Sequence, residues 1–209
     1  NQINGMSAAV VAEMEAEDVA ELATAAVRGL STATVQALTS EHIQSLRAAQ
    51  IGAMLYQQIN AFDAGEFGSL SSDQLAAIKG DQFTRISTGK VQEMTTDQVG
   101  SITTAQIQKL TATQIGALDS SQVSTLTTEQ LSAFTAVQLN RISTDAIAGL
   151  STDNVQALST GQIAGLSATL MSKLSTDQLA TLSTDQVGAM TAAQISALST
   201  DQITALTVA

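Results

Sequence analysis

Few residues in this chain are of a type that could do chemistry, and their spacing limits what they could do. His42 is the sole imidazole, and there is neither a cysteine nor a second histidine to complete a metal site with it. It stands in a column otherwise dominated by glutamine, so it reads as a substituted repeat residue. Asp73, Asp97, Glu129, Asp153, Asp177 and Asp201 are separated by multiples of eight residues and could offer oxygen ligands to Ca²⁺. A single carboxylate per repeat near a helix start is already explained by the helix dipole, and the glycine-rich nonapeptide that cradles Ca²⁺ is missing. Rows of Ser and Thr would suit an ice-binding face, but the helix caps described below already use them. Glu13, Glu15, Glu17, Asp18 and Glu21 make an acidic cluster, read as a solvated face or a dock for a basic partner. No nucleophile–base pair, phosphate loop or paired carboxylates can be identified. The expectation is no catalytic residue, no cofactor-binding residue, no metal ligand and no enzymatic activity.

Composition points the same way. Nineteen acidic residues against eight Lys and Arg give a net charge of -11, the wrong sign for gripping a phosphate backbone. No apolar run is long enough to span a bilayer, and the absence of cysteine rules out disulfides within the chain. Neither nucleic acid nor membrane insertion is expected. The chain opens on Asn1 and stops at Ala209, part way into a repeat, so it is read as a piece of a longer protein.

The elements that must carry these residues are set by an internal repeat of eight. It is plainest near the end, in LSTDQLAT, LSTDQVGA, MTAAQISA and LSTDQITA. Taking Leu174, Leu182, Met190 and Leu198 as position one, the register runs back without insertion or deletion to Met14 and Met6. This gives 25 repeats over residues 6–205. Positions one and six are apolar throughout, position six running from Val11 through Phe67 and Phe83 to Ile203.

A continuous helix is excluded, because eight residues overshoot two turns by about 80° and would wind the apolar stripe around the axis. A simple meander of flat strands is disfavoured, because positions one and six would face opposite sides. A short helix restarted in every repeat satisfies all columns. Position two is mostly Ser or Thr, and position five is Gln in 15 of the 25 repeats. Ser/Thr-x-x-Gln is a capping box, and the apolar residues at positions one and six are the two halves of a hydrophobic staple. The fold expected is an all-α solenoid of short capped helices, one per repeat. The alternative is a β-solenoid, since Thr, Val and Ile favour strands and three octads could make one coil. Abundant Ala and Gln, with little Gly or Asn at fixed turn positions, favour the helix.

Residues 1–209 read as a single domain with two textures. In the regular part, 70–209, position two is cap-competent except at Lys79. In residues 1–69 Glu15, Ala23, Arg47 and Leu55 fill it, so neighbouring helices are expected to fuse into longer ones, notably from Arg47 to Ala61, with Asp63 and Gly65 marking a break. Small residues at positions seven and eight, such as Gly116–Ala117, should let successive turns approach closely. Asp18, His42, Glu66 and Lys90 interrupt the glutamine column at intervals of 24 residues and alternate in charge, favouring three repeats per turn over four.

The run LSTDQVGAMTAAQISALSTDQITAL, residues 182–206, resembles octad arrays of very large exported bacterial surface proteins, of the adhesin and haem-utilisation-or-adhesion type. The resemblance implies an extracellular or cell-surface setting, with the array as a spacer, stalk or filament. Its partners would be copies of itself or neighbouring domains of a longer chain. The stretch from Leu126 to Leu131, LTTEQL, is also similar to a helix start in DNA-reading effectors of plant pathogens, but the basic residues that DNA binding needs are missing. The main alternative is an acidic solenoid module that docks a basic partner or mimics nucleic acid.

Overall fold

The structure, a computed structural model, describes residues 7–206. Met6, the first position-one residue, lies outside them. Among the described residues there are 25 α-helices of four to seven residues and no strand, so the all-α expectation holds and the β-solenoid is set aside.

Each helix begins where the repeat says it should. In α9 (Ser72–Ala76), the Ser71 hydroxyl accepts from the Gln74 amide while Gln74 Oε1 accepts from the Ser71 amide at 2.8 Å. The same reciprocal pair caps α12 (Thr96–Ser101) through Thr95 and Gln98 and α22 (Thr176–Ala180) through Ser175 and Gln178. A helix this short would not persist alone in water, so caps and stacking must hold it.

The chain divides into two compact units, Asn1–Lys109 and Leu110–Ala209. Within each, a helix packs on the one three repeats away. In the first unit α2 (Ala16–Ala20) packs on α5 (Ser40–Ser45), and α6 (Ala48–Ala53) packs on α9. In the second, α15 (Ser120–Ser124) packs on α18 (Thr144–Ile147), and α22 on α25 (Thr200–Leu206). Three repeats therefore make one turn of coil. Position six lies deepest, from Val11 to Leu179 at no more than 1% exposure, with position one just outside it. Burying a Leu or Ile in this way is worth roughly 2 kcal/mol. In the last coil of the second unit the same columns are less covered, and Ile195 is 37% exposed.

The longer helices expected in residues 1–69 do not form. Helix α6 ends at Ala53 and α7 runs Tyr56–Ala61, with Met54 and Leu55 extended between them. The lost hydroxyl removes only half the cap. Gln50 and Gln58 still accept from the Arg47 and Leu55 amides, at 2.6 Å each, and the bend keeps Met54 and Phe62 buried. Tertiary stacking overrides the local freedom to continue the helix. Asp63 caps α8 (Ala64–Gly68) rather than ending a long helix.

Close approach of coils is seen at position seven. A Cβ on Gly52 would fall 2.7 Å from the Ala77 carbonyl oxygen, closer than side chains tolerate.

Candidate functional site: the position-five column

Most position-five glutamines are buried, Gln50 at 0% and Gln58 at 1% exposure, while Gln82 and Gln138 are half-buried. An amide has an acceptor oxygen and two donor hydrogens, and both ends are used. The oxygen caps its own helix. The nitrogen reaches one coil back: Gln74 Nε2 donates to the carbonyls of Ile43 at 2.7 Å and Leu46 at 2.6 Å. Those are carbonyls at the end of α5: that of Ile43 already accepts from the Leu46 amide, and that of Leu46 lies just past the last helical residue. Gln106 does the same to Leu75 and Ile78, both at 2.8 Å. In the second unit Gln162 donates to Leu131 and Phe134, and Gln194 to Ile163 and Leu166. Each amide thus caps one helix at its N-terminus and another at its C-terminus, 28 to 31 residues earlier. Among the described residues no buried side-chain nitrogen or oxygen lacks a partner.

Sequence reasoning found the capping half of this bond and missed the stacking half. The available signal was the unassigned amide nitrogen of a column too regular to be idle.

The substituted positions show what the column requires. His42 reproduces both halves, as the substituted-repeat reading expects: Nδ1 accepts from the Thr39 amide at 3.1 Å, and Nε2 donates to the Met14 carbonyl at 2.9 Å. Asn154 also donates one coil back, to Leu126 at 2.6 Å. Lys90 has no acceptor and Leu170 has no polar atom, so the cap amides of Ser87 and Ser167 need another partner. Asn60 Oδ1 accepts from Ser87 at 2.9 Å, and Asn140 Oδ1 from Ser167 at 2.7 Å. Both asparagines stand thirty residues before the defect, and each donates upward as well, Asn60 to Arg85 and Asn140 to Gly165.

The alternating-charge column forms only in part. Asp18 is exposed, whereas Glu66 and Lys90 are buried at 5% and 7% exposure on stacked helices α8 and α11 (Thr88–Glu93). Lys90 turns its ammonium to Glu93, at 2.6 Å. Burial pushes the Glu66 carboxyl above its ordinary 4.5. Its bond from the Asp63 amide works against this, the Asp63 carboxylate adds to it, and the Lys90 charge opposes it.

The acidic position-four residues, Asp73, Asp97, Glu129, Asp153, Asp177 and Asp201, all face solvent, where like-charge stacking costs little. Among the described residues no three His, Cys, Asp or Glu side chains are grouped to hold a metal ion, and no helix is long and apolar enough to cross a membrane.

The profile of the ALTTAQ repeat matches residues 11–48, 136–168 and 171–208, just over half of the chain. The letters of that name correspond to position eight followed by positions one to five, as in Ser101-Ile-Thr-Thr-Ala-Gln106, so they contain the cap residue and the column amide. A comparison with curated proteins gave no match.

Proposed function

Taking as premise that the chain belongs to the ALTTAQ repeat family, we propose that it is a non-catalytic structural segment of an exported bacterial surface protein, serving as spacer, stalk or filament-forming array. The observation that carries this reading is the position-five column, whose amides are used at both ends to join helix to helix. A surface built for catalysis keeps polar groups free for a substrate, whereas this column commits them to neighbouring backbone. Since each coil bonds only to adjacent coils, extent is set by repeat number without redesigning the core. The exported setting rests on the likeness of residues 182–206 to octad arrays of large surface proteins. The charge of -11 keeps such a chain soluble.

Electron microscopy of the purified chain tests the structural role. Regular rods or fibres that lengthen as octads are added support it. Uniform particles that do not lengthen, yet capture a basic protein, overturn it. That second outcome belongs to the acidic docking module, which the solvent-facing stack of Glu129, Asp153, Asp177 and Asp201 favours. The setting is tested separately by adding protease to intact source cells, since a chain protected from digestion is not on the surface.

A further inference from the structure

The repeat breaks its own rule at Glu15, Ala23, Arg47, Leu55 and Lys79 of the first unit, and the last two of these points are neighbours. Position two is a capping residue in most repeats, yet Leu55 occupies it in α7 and Lys79 in α10 (Gly80–Phe83), and neither side chain caps its helix. The two helices are one turn of coil apart, and Gln82 of α10 donates to the Met54 carbonyl just before α7. The backbone is not the reason for the missing caps. Lys79 has φ -69° and ψ 150°, close to the capping Ser71 at -68° and 162°, so a serine would cap there too.

In place of two caps the chain has a surface. Leu55 and Lys79, together with Arg28 and Arg85, line a shallow pocket of about 250 Å³ whose other walls include Met54 and Tyr56. Leu55 is 39% exposed, an apolar side chain left in water. The Arg85 guanidinium sits 5.1 Å above the Tyr56 ring, which holds it at the pocket. Arg28, Lys79 and Arg85 form no ion pair with a described residue, and Asp81 is the one acid on the rim. Three of the eight cations in a chain of net charge -11 meet at this point. Local rules of stability are commonly broken where a surface is used.

We propose that this pocket docks an acidic peptide segment of a partner protein, seating one apolar side chain on Leu55 and Tyr56 and its flanking carboxylates against Arg28, Lys79 and Arg85. Arginine forks suit carboxylates, and exposed cations steer an anionic partner inward. A nucleic acid would need a track of cations that releases many counterions, and three cations beside Asp81 make no track.

The test uses the full chain, ¹⁵N-labelled, titrated at low salt with an acetylated, amidated Glu–Glu–Leu–Glu–Glu peptide. Saturable amide shifts confined to Leu55, Tyr56, Lys79, Gln82 and their neighbours are expected, weakening about tenfold at physiological salt. A peptide with serine in place of leucine should bind more weakly. Lys79→Ser and Leu55→Ser restore caps, so each should raise the melting temperature while weakening binding about tenfold, a pairing that unfolding cannot produce. No shifts at millimolar peptide, shifts scattered over the surface, or unchanged binding by both variants would overturn the proposal. Tighter binding of a single-stranded oligonucleotide at the same amides would overturn it in favour of nucleic acid. Self-association abolished by Lys79→Ser, with no response to peptide, would overturn it in favour of a second copy.

Discussion

At the scale of residues, an amide serves this fold because it can accept and donate in opposite directions. Removing Gln106 deprives the Thr103 amide of an acceptor, the Ile78 carbonyl of its donor and the Leu75 carbonyl of one of two, the Ile78 amide remaining. Gln106→Ala should therefore cost about 2–4 kcal/mol, against about 1 kcal/mol for Thr103→Ala, which touches the cap alone. Urea unfolding of both variants ranks them, and equal losses would mean the stacking bonds contribute little. The asparagine compensation predicts coupling. Asn60→Ala should be costly in the natural chain and nearly silent beside Lys90→Gln, a non-additivity of about 1 kcal/mol in a double-mutant cycle. Glu66 gives a pH test. A carboxyl raised by burial holds its proton more tightly in the folded chain, so its support for the fold is complete below the ordinary value and is lost as pH rises through the raised one. Glu66→Gln should accordingly stabilise the chain by about 1 kcal/mol at neutral pH and by little in strong acid. Stability curves that stay parallel across that range would refute the assignment.

At the scale of elements, the octad and its capping box placed the helix starts that follow a Ser, Thr or Asp at position two, because a cap is written within four consecutive residues. The boundary between α6 and α7 was not legible. Nothing local to Met54 and Leu55 forbids a continuous helix, and the bend is imposed by columns that bury only when coils stack. The amide bonds to carbonyls 28 and 31 residues back were hidden for a related reason: they depend on the number of repeats per turn. The charges at Asp18, His42, Glu66 and Lys90 pointed to that number, although Lys90 then paired with Glu93. Position seven supplies a test of coil spacing. Gly52→Ala places a methyl 2.7 Å from a backbone oxygen that cannot swing aside, so it should cost about 1–3 kcal/mol even though alanine favours helix. Gly188→Ala meets nothing within 4 Å and should stabilise by about 0.5–1 kcal/mol. Thermal melts that failed to separate the two would contradict the close packing seen at Gly52.

At the scale of the molecule, register matters more than residue identity. One alanine inserted after Ala157 in the second unit displaces Gln162 and Gln178 from their carbonyl partners at Phe134 and Leu150. A whole octad inserted there keeps every column in phase. The first change should broaden or split the unfolding transition and the second should not, as calorimetry would show. In each unit the long-range bonds span only some 25 to 31 residues, which gives a relative contact order on the order of 0.1, typical of fast helical folders. A finished coil presents a row of carbonyls at the spacing the next coil's amides require, so it acts as a template on which the following 24 residues can condense. Forming the first coil is then the slow event, and each later coil closes a loop of the same length at nearly the same entropic cost. Stopped-flow refolding of chains with different numbers of octads should give nearly equal folding rates, while unfolding slows as coils are added. The array would then grow along its own length as a zipper grows, from one nucleus.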